Sequence, residues 1–355
     1  MSKNLNNKKE LRLPAAMKDN QILTIIGLMV VVLAIMAVMK PDAYFTGKNL
    51  TSMIYQFPEY GILAFGMMAC MIAGGIDLSL VGIMNLTGVL AALILKKMVV
   101  MDGSTVLNPE MVTPAILLAV VVAVVVGAAC GAFNGFIIGY FNLPAMLVTL
   151  CGLQLYTGLA YGITGGPAIN GMCDEFKNIA NGTIPGTIIP WVLLIFVAVL
   201  AVVTFVMKCT VFGHEIYFLG SNAKAAKYSG INTLKVIIMT HMFSGILGGI
   251  SGILITSHLN SAKSSNGATY TLLTLLIVVL GGIHPDGGRG RVLGVTLSIF
   301  LLQMIANAFT LLHYSQNAKT FANGCLLIIA LVLSVILSNR STHKKKKAAS
   351  PSGSK

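Results

Sequence analysis

Ten apolar stretches, each near the length that crosses a bilayer, fill the chain from Ile22 to Leu337, and charged residues lie almost wholly between them. They cover 22–39, 57–73, 80–95, 114–139, 144–164, 187–207, 235–256, 270–283, 292–312 and 322–338. Runs such as Ala115 to Val126 are apolar on every face. That excludes the alternation of an outer-membrane strand and requires helices, which close their backbone hydrogen bonds within the segment. The chain reads as an all-α integral membrane protein of about ten transmembrane helices over 22–338, with a basic head at 1–21 and a basic tail at 339–355. With 56% hydrophobic and 10% charged residues, too little polar surface remains to solvate a soluble globule of this size. The stretch at 270–283 is short for a full crossing and runs into Gly281-Gly282, the pattern of a tilted or broken helix.

Lysines and arginines set the expected orientation. With the N-terminus inside and ten crossings, 17 of the 24 basic residues fall on the cytoplasmic side: the head, the 208–235 and 284–291 loops and the tail. The net charge of +13 is therefore topological rather than a nucleic-acid footprint, and Lys344 to Lys347 would at most touch anionic lipid headgroups. The apolar run after Lys3, Lys8, Lys9, Arg12 and Lys18 lacks a small-x-small exit and reads as an uncleaved first span. The six cysteines form no CxxC and read as small core residues.

Enzyme chemistry finds little support. His214-Glu215 begins like a zinc-protease helix, but Phe218 stands where the second histidine is needed, and no GxSxG elbow occurs. No G-x-x-x-x-G-K-[ST] loop is present, so no cofactor or metal is expected on this chain, and ATP, if used, must be bound by another. Among eleven acidic residues, Asp77 is the one at membrane depth with apolar flanks, while Glu59 sits at a span entrance. Ion-driven carriers need more buried carboxylates than this. Gly74 and Gly75 allow a helix to end, and Asp77 and Ser79 can cap the helix starting at Leu80; contact with a polyol in transit or a gating contact are the alternatives for Asp77. Asn134 and Asn307, deep in apolar runs, read as bonds to neighbouring helices before substrate contacts.

The longest expected cytoplasmic connection contains a well-marked short helix. Ser221-Asn222 offer an N-cap, Ala223 to Ser229 a helix-forming run, and Gly230 a C-terminal stop. It is either a solvated connector or a peg that docks in a groove of another subunit, with Ala225 and Ala226 permitting close approach.

Gly213 to Ile231, with Tyr217, Gly220, Asn222, Ala225, Ala226, Ser229 and Gly230 in place, resembles the G-x-x-x-Y-x-x-G-x-N-x-x-A-A-x-x-S-G-I stretch of ribose/galactose-type permeases of ABC importers. Gly74-Gly75-Ile76-Asp77-Leu78-Ser79 resembles that family's G-G-I-D-L-S signature. Gly281-Gly282 followed by Gly287-Gly288-Arg289-Gly290-Arg291 and Gly294 resembles its G-G…G-G-R-G-R-x-x-G loop. The similarity covers about residues 20 to 338. It implies a type II (vitamin B12-type) permease fold with inverted repeats, and a coupling helix at 222–230 carrying Asn222, Ala223, Ala225, Ala226, Ser229 and Gly230. It also implies a cytoplasmic ABC ATPase that holds ATP and Mg, an extracytoplasmic solute-binding protein, and a second permease copy or paired homologue. The place would be the bacterial inner membrane, multi-pass, with both termini cytoplasmic. Gly287, Gly288, Arg289 and Arg291 read physically as a tight cytoplasmic turn anchored by the arginines.

Two departures from the family pattern stand out. Leu80 is inserted relative to D-L-S-V-G-S, which would rotate the following helix by about 100°. The acidic residue usual near the start of the eighth span is absent, and Tyr270-Thr271-Leu272-Leu273 occupy that stretch. The expected function is the non-catalytic permease subunit of an ABC importer for a small polyhydroxylated solute, foremost a monosaccharide of ribose, galactose or xylose type. Autoinducer-2-like compounds and nucleosides are the alternative cargoes, and an autonomous secondary carrier or facilitator is the alternative class.

Overall fold

The computed structural model describes residues 20–99, 109–187 and 189–349. The expected basic head therefore lies outside the described residues, apart from its last two positions. Apolar runs become helices throughout, because a segment without water must satisfy its own backbone groups. In chain order they are α1 (Asn20–Met39), α2 (Pro41–Tyr44), α3 (Gly47–Ile72), α4 (Leu80–Met98), α5 (Val112–Phe141) and α6 (Ala145–Thr164). Then come α7 (Asp174–Asn181), α8 (Trp191–Cys209), α9 (Val211–Ser221), α10 (Ala223–Tyr228), α11 (Thr233–Leu259), α12 (Tyr270–Leu280), α13 (Val292–Leu311) and α14 (Gln316–Ala349). A two-residue antiparallel ribbon pairs β1 (Ile169–Asn170) with β2 (Ser261–Ala262).

Seven of these helices are long and apolar enough to cross a membrane: α1, α4, α5, α6, α8, α11 and α13. The other three expected spans behave differently. The helix holding 57–73 starts ten residues earlier, at Gly47, because Thr46 caps it and polar Lys48, Asn49, Thr51 and Gln56 extend it. The expected span at 270–283 is a helix of only 11 residues, stopped at Gly281-Gly282. The stretch at 322–338 lies inside α14, which runs on to Ala349 with no break at the expected tail boundary; residues 350–355 lie outside the described residues.

The core is built around α3 and α11. From Phe57 to Ile72 every residue of α3 is buried, surrounded by α8, α11, α12 and α13. Helices α1, α5, α6 and α8 instead turn leucines, valines and phenylalanines outward, as lipid-facing helices do. Two of the six cysteines, Cys151 and Cys209, are exposed on this rim rather than packed in the core as expected.

The tightest contact joins α5 to α11, and it rests on a stripe not picked out from the sequence. Ala115, Ala119, Ala123, Gly127, Gly131 and Gly135 recur every fourth residue, all buried. Opposite them stand His241, Gly245 and Gly249; a Cβ at Gly135 would lie 2.7 Å from Ile238 Cα, and one at Gly245 would lie 3.1 Å from Gly131 Cα. Small residues at this spacing let backbones touch, which is where helix adhesion in lipid comes from. Gly131→Leu is expected to prevent assembly of the bundle: size-exclusion chromatography of detergent-extracted protein should show aggregate in place of the wild-type peak. A monodisperse, wild-type-like peak would contradict this packing.

Candidate coupling surface and buried polar clusters

At one end of the bundle the chain builds a capped peg. Thr210 starts α9 by accepting from Gly213 N–H at 3.1 Å, and Asn222 Oδ1 starts α10 by accepting from Ala225 N–H at 3.0 Å. The helix closes with Ser229 N–H to the Ala225 carbonyl and Ile231 N–H to the Ala226 carbonyl, while Gly230 takes a left-handed φ of +84°. Both expected signals operate, although Ser221 ends α9 and only Asn222 caps. The six-residue helix exposes Ala223, Lys224, Ala225, Lys227 and Tyr228, with Tyr228 92% accessible. Ala226 corrects the sequence reading. It has no exposed surface and faces its own chain, toward α9 and α11, so it anchors the peg instead of meeting a partner.

Three motifs far apart in sequence meet beneath this peg. Gly288 N–H donates to the Ile72 carbonyl at 2.8 Å, and Tyr217 hydroxyl donates to the Gly290 carbonyl at 3.0 Å. A Cβ at Gly287 would lie 2.8 Å from Gly74 Cα, and one at Gly220 would lie 2.5 Å from Gly288 N. The backbone crossing is so close that Gly220 and Gly287 cannot carry side chains there, whereas a Cβ at Gly74 would have ordinary van der Waals room. Gly74, Gly287 and Gly288 also take φ of +92°, +82° and +71°. The tight turn is thus held through its backbone, while Arg289 and Arg291 are exposed. Burial pushes the Tyr217 phenol above its usual range, and the nearby Arg291 charge offsets part of that.

Asp77 is fully buried at the turn from α3 to α4. Its Oδ1 accepts from Ser79 N–H at 3.0 Å and from Ser79 Oγ at 2.5 Å, and its Oδ2 accepts from Ser244 Oγ on α11 at 2.7 Å. Ser79 is the N-cap residue of α4, yet its side chain makes no cap bond. The capping expected of Ser79 is replaced by a crosslink: Ser79 Oγ accepts from Asn134 Nδ2 on α5 at 2.8 Å, and Asn134 Oδ1 accepts from Tyr156 on α6 at 2.8 Å. Five segments are tied through one carboxylate. After the extra Leu80, Gly82 still faces a neighbouring helix closely: a Cβ there would lie 2.9 Å from the Leu153 carbonyl oxygen of α6. Gly75 meets Ala145 in the same way. Asn307 bonds reciprocally with Asn49 of α3, Nδ2 to Oδ1 at 2.8 and 3.0 Å, as a helix-to-helix pair.

Glu59 lies in the middle of α3, 2% exposed, level with the end of α11. Its Oε1 pairs with His258 Nδ1 at the end of α11, and its Oε2 accepts from Tyr270 hydroxyl at 3.1 Å. Tyr270 occupies the stretch where the family's usual acidic residue is missing. Next to this cluster Tyr60 donates to Gln303 Oε1 at 2.6 Å, and Gln303 Nε2 donates to Gln56 Oε1 at 3.2 Å. The available signal was a carboxylate within an apolar run, which is expensive in a membrane unless it is paired.

The helices and these buried clusters define a polytopic, all-helical membrane protein with a short capped helix at one end. The chain belongs to the family described as branched-chain amino acid transport system / permease component, which matches residues 49–331. The ribose import permease protein of Bacillus subtilis is 32% identical over 310 residues, 87% of this chain and 90% of that protein. Its counterpart in Haemophilus influenzae is 30% identical over 309 residues, 86% of this chain and 90% of that protein. The galactose/methyl galactoside import permease protein of Escherichia coli is 28% identical over 314 residues, covering 86% and 93%. No solved structure matches the chain.

Proposed function

We propose that this chain is the transmembrane permease of an ABC importer for a monosaccharide of the ribose, arabinose or galactose kind. The observation that carries the reading is the similarity to ribose, arabinose and galactose import permeases along 77–87% of the chain. The peg supports the ABC form of it. ATPase closure would push α10, and because α9 and α10 rest on the Gly74, Gly220 and Gly287 crossing, the push would reach the end of α3 and the loop before α13. The chain itself would bind no ATP or metal.

The reading includes ten crossings in a type II fold with inverted repeats, adding α3, α12 and α14 to the seven long apolar helices. At 1.5 Å per residue α12 covers about 17 Å, roughly half a bilayer, so the stretch from Gly281 to Arg291 that follows it would complete the crossing from the Tyr270 end to the α10 end. It also includes a second permease copy, an extracytoplasmic binding protein, and an inner-membrane location with both termini inside. Uptake of radiolabelled ribose, arabinose and galactose by membranes containing this chain, with and without the ATPase and binding protein, tests it. Uptake that never depends on the ATPase would overturn it.

Orientation has its own test. Lys177 on α7 is half-buried and Lys227 on α10 exposed, and they lie at opposite ends of the bundle. In a background without native cysteines, a membrane-impermeant maleimide added to intact cells should label Lys177→Cys and not Lys227→Cys. The reverse pattern would turn the molecule over.

A further inference from the structure

At the end of the bundle opposite α10, a cleft of about 730 Å³ opens between the first turns of α3 and the end of α11. Thr51, Ser52, Tyr55, Gln56, Asn181 and His258 line it, with Lys48 at its rim. Beneath it lies the buried Glu59 carboxylate, both oxygens engaged, one by His258 Nδ1 and the other by Tyr270. Because Glu59 holds Nδ1, the imidazole is fixed in orientation, and its remaining polar atom is Nε2. The neighbouring wall is ordered in the same way. Gln303 donates to Gln56 Oε1, and Gln56 Nε2 donates to Ser52 Oγ at 3.1 Å. That leaves one Gln56 amide hydrogen and the Ser52 hydroxyl hydrogen unassigned by these bonds.

Helix adhesion alone explains polar pairs such as Asn49 and Asn307, but it does not explain an open cavity lined by Ser52, Gln56 and His258. Orienting the amide of Gln56 and the hydroxyl of Ser52 toward a cavity fits a hydroxyl-rich ligand, and the half-buried Tyr55 ring adds a flat apolar surface for a sugar's C–H face. We propose that this cleft is a sugar-contact site on the translocation route. His258 Nε2, Gln56 and Ser52 hydrogen-bond the hydroxyls, and Glu59 is a positioning residue that acts through His258. The proposal rests on the monosaccharide-permease reading and adds the residues of this chain that meet the cargo.

The test uses cells in which the full chain works with its ATPase and binding protein. His258→Ala and Gln56→Ala should each lower radiolabelled ribose uptake by about ten-fold, the equivalent of one good hydrogen bond, at unchanged membrane content. Both should also alter the ratio of ribose to galactose uptake, which loosened helix packing would leave alone, and His258→Asn should recover part of the loss. With Ser52→Cys in a chain otherwise free of cysteine, an impermeant maleimide should block uptake, and saturating ribose should slow the labelling. The exposed positions 52 and 56 keep the test open if His258→Ala fails to fold. Absence of wild-type uptake of all three sugars would sink the permease reading itself. Normal wild-type uptake, with rate and sugar ratio unchanged by Gln56→Ala and by modification at position 52, would overturn the site alone.

Discussion

Ala225→Trp is expected to abolish ATP-dependent uptake while the protein remains folded in the membrane. Ala225 is exposed on α10, between an N-cap at Asn222 and a C-terminal bond that its own carbonyl accepts. An indole there adds bulk only outside the chain, and surface changes of this kind cost the fold about 0.5 kcal/mol or less. A peg seated in a groove would lose its fit. Ala226→Trp should fail differently, because Ala226 is wholly buried, and overpacking such a site costs about 1–3 kcal/mol and moves backbone. Gly230→Val should also lose transport, since a β-branched residue is strained at φ +84°. Uptake, membrane content and crosslinking from a Tyr228→Cys variant to the ATPase separate these cases. Normal uptake by Ala225→Trp would remove the coupling assignment.

Asp77→Leu should remove the folded protein, whereas Asp77→Asn should transport at close to the normal rate. The carboxylate accepts from Ser79 N–H, Ser79 Oγ and Ser244 Oγ at a fully buried position. Leucine leaves those donors unpaired, at about 1–3 kcal/mol for each buried group, and frees the Ser79 hydroxyl that holds Asn134. Asparagine keeps one acceptor for Ser79, and its amide can donate to Ser244 once that hydroxyl turns to accept. Extraction yield and thermal stability in detergent measure the first effect, and uptake the second. The same variant separates an ABC permease from an ion-driven carrier. If uptake in ATP-free vesicles followed an imposed proton gradient, and Asp77→Asn lost that dependence, the importer reading would fail.

The sequence determined what depends on neighbours along the chain. Continuous apolar runs specify helices because backbone hydrogen bonds close within a few residues, and the α10 cap and stop are readable because Asn222 and Gly230 act on groups three or four positions away. Motif order likewise pointed to the permease family before any contact was known. Tertiary structure decided the facing of each side chain and the meeting of distant segments. Ala225 and Ala226 are identical and adjacent, yet one is exposed and the other buried, because only their position against α9 and α11 distinguishes them. Glu59 and His258 are 199 positions apart, and nothing in the run around Glu59 shows that a histidine and a tyrosine will satisfy it. The crossing of Gly74, Gly220 and Gly287 is of the same kind. Each glycine reads locally as freedom to turn, and it is the approach of backbones within van der Waals distance that makes a side chain impossible at Gly220 and Gly287, while Gly74 is required by its positive φ.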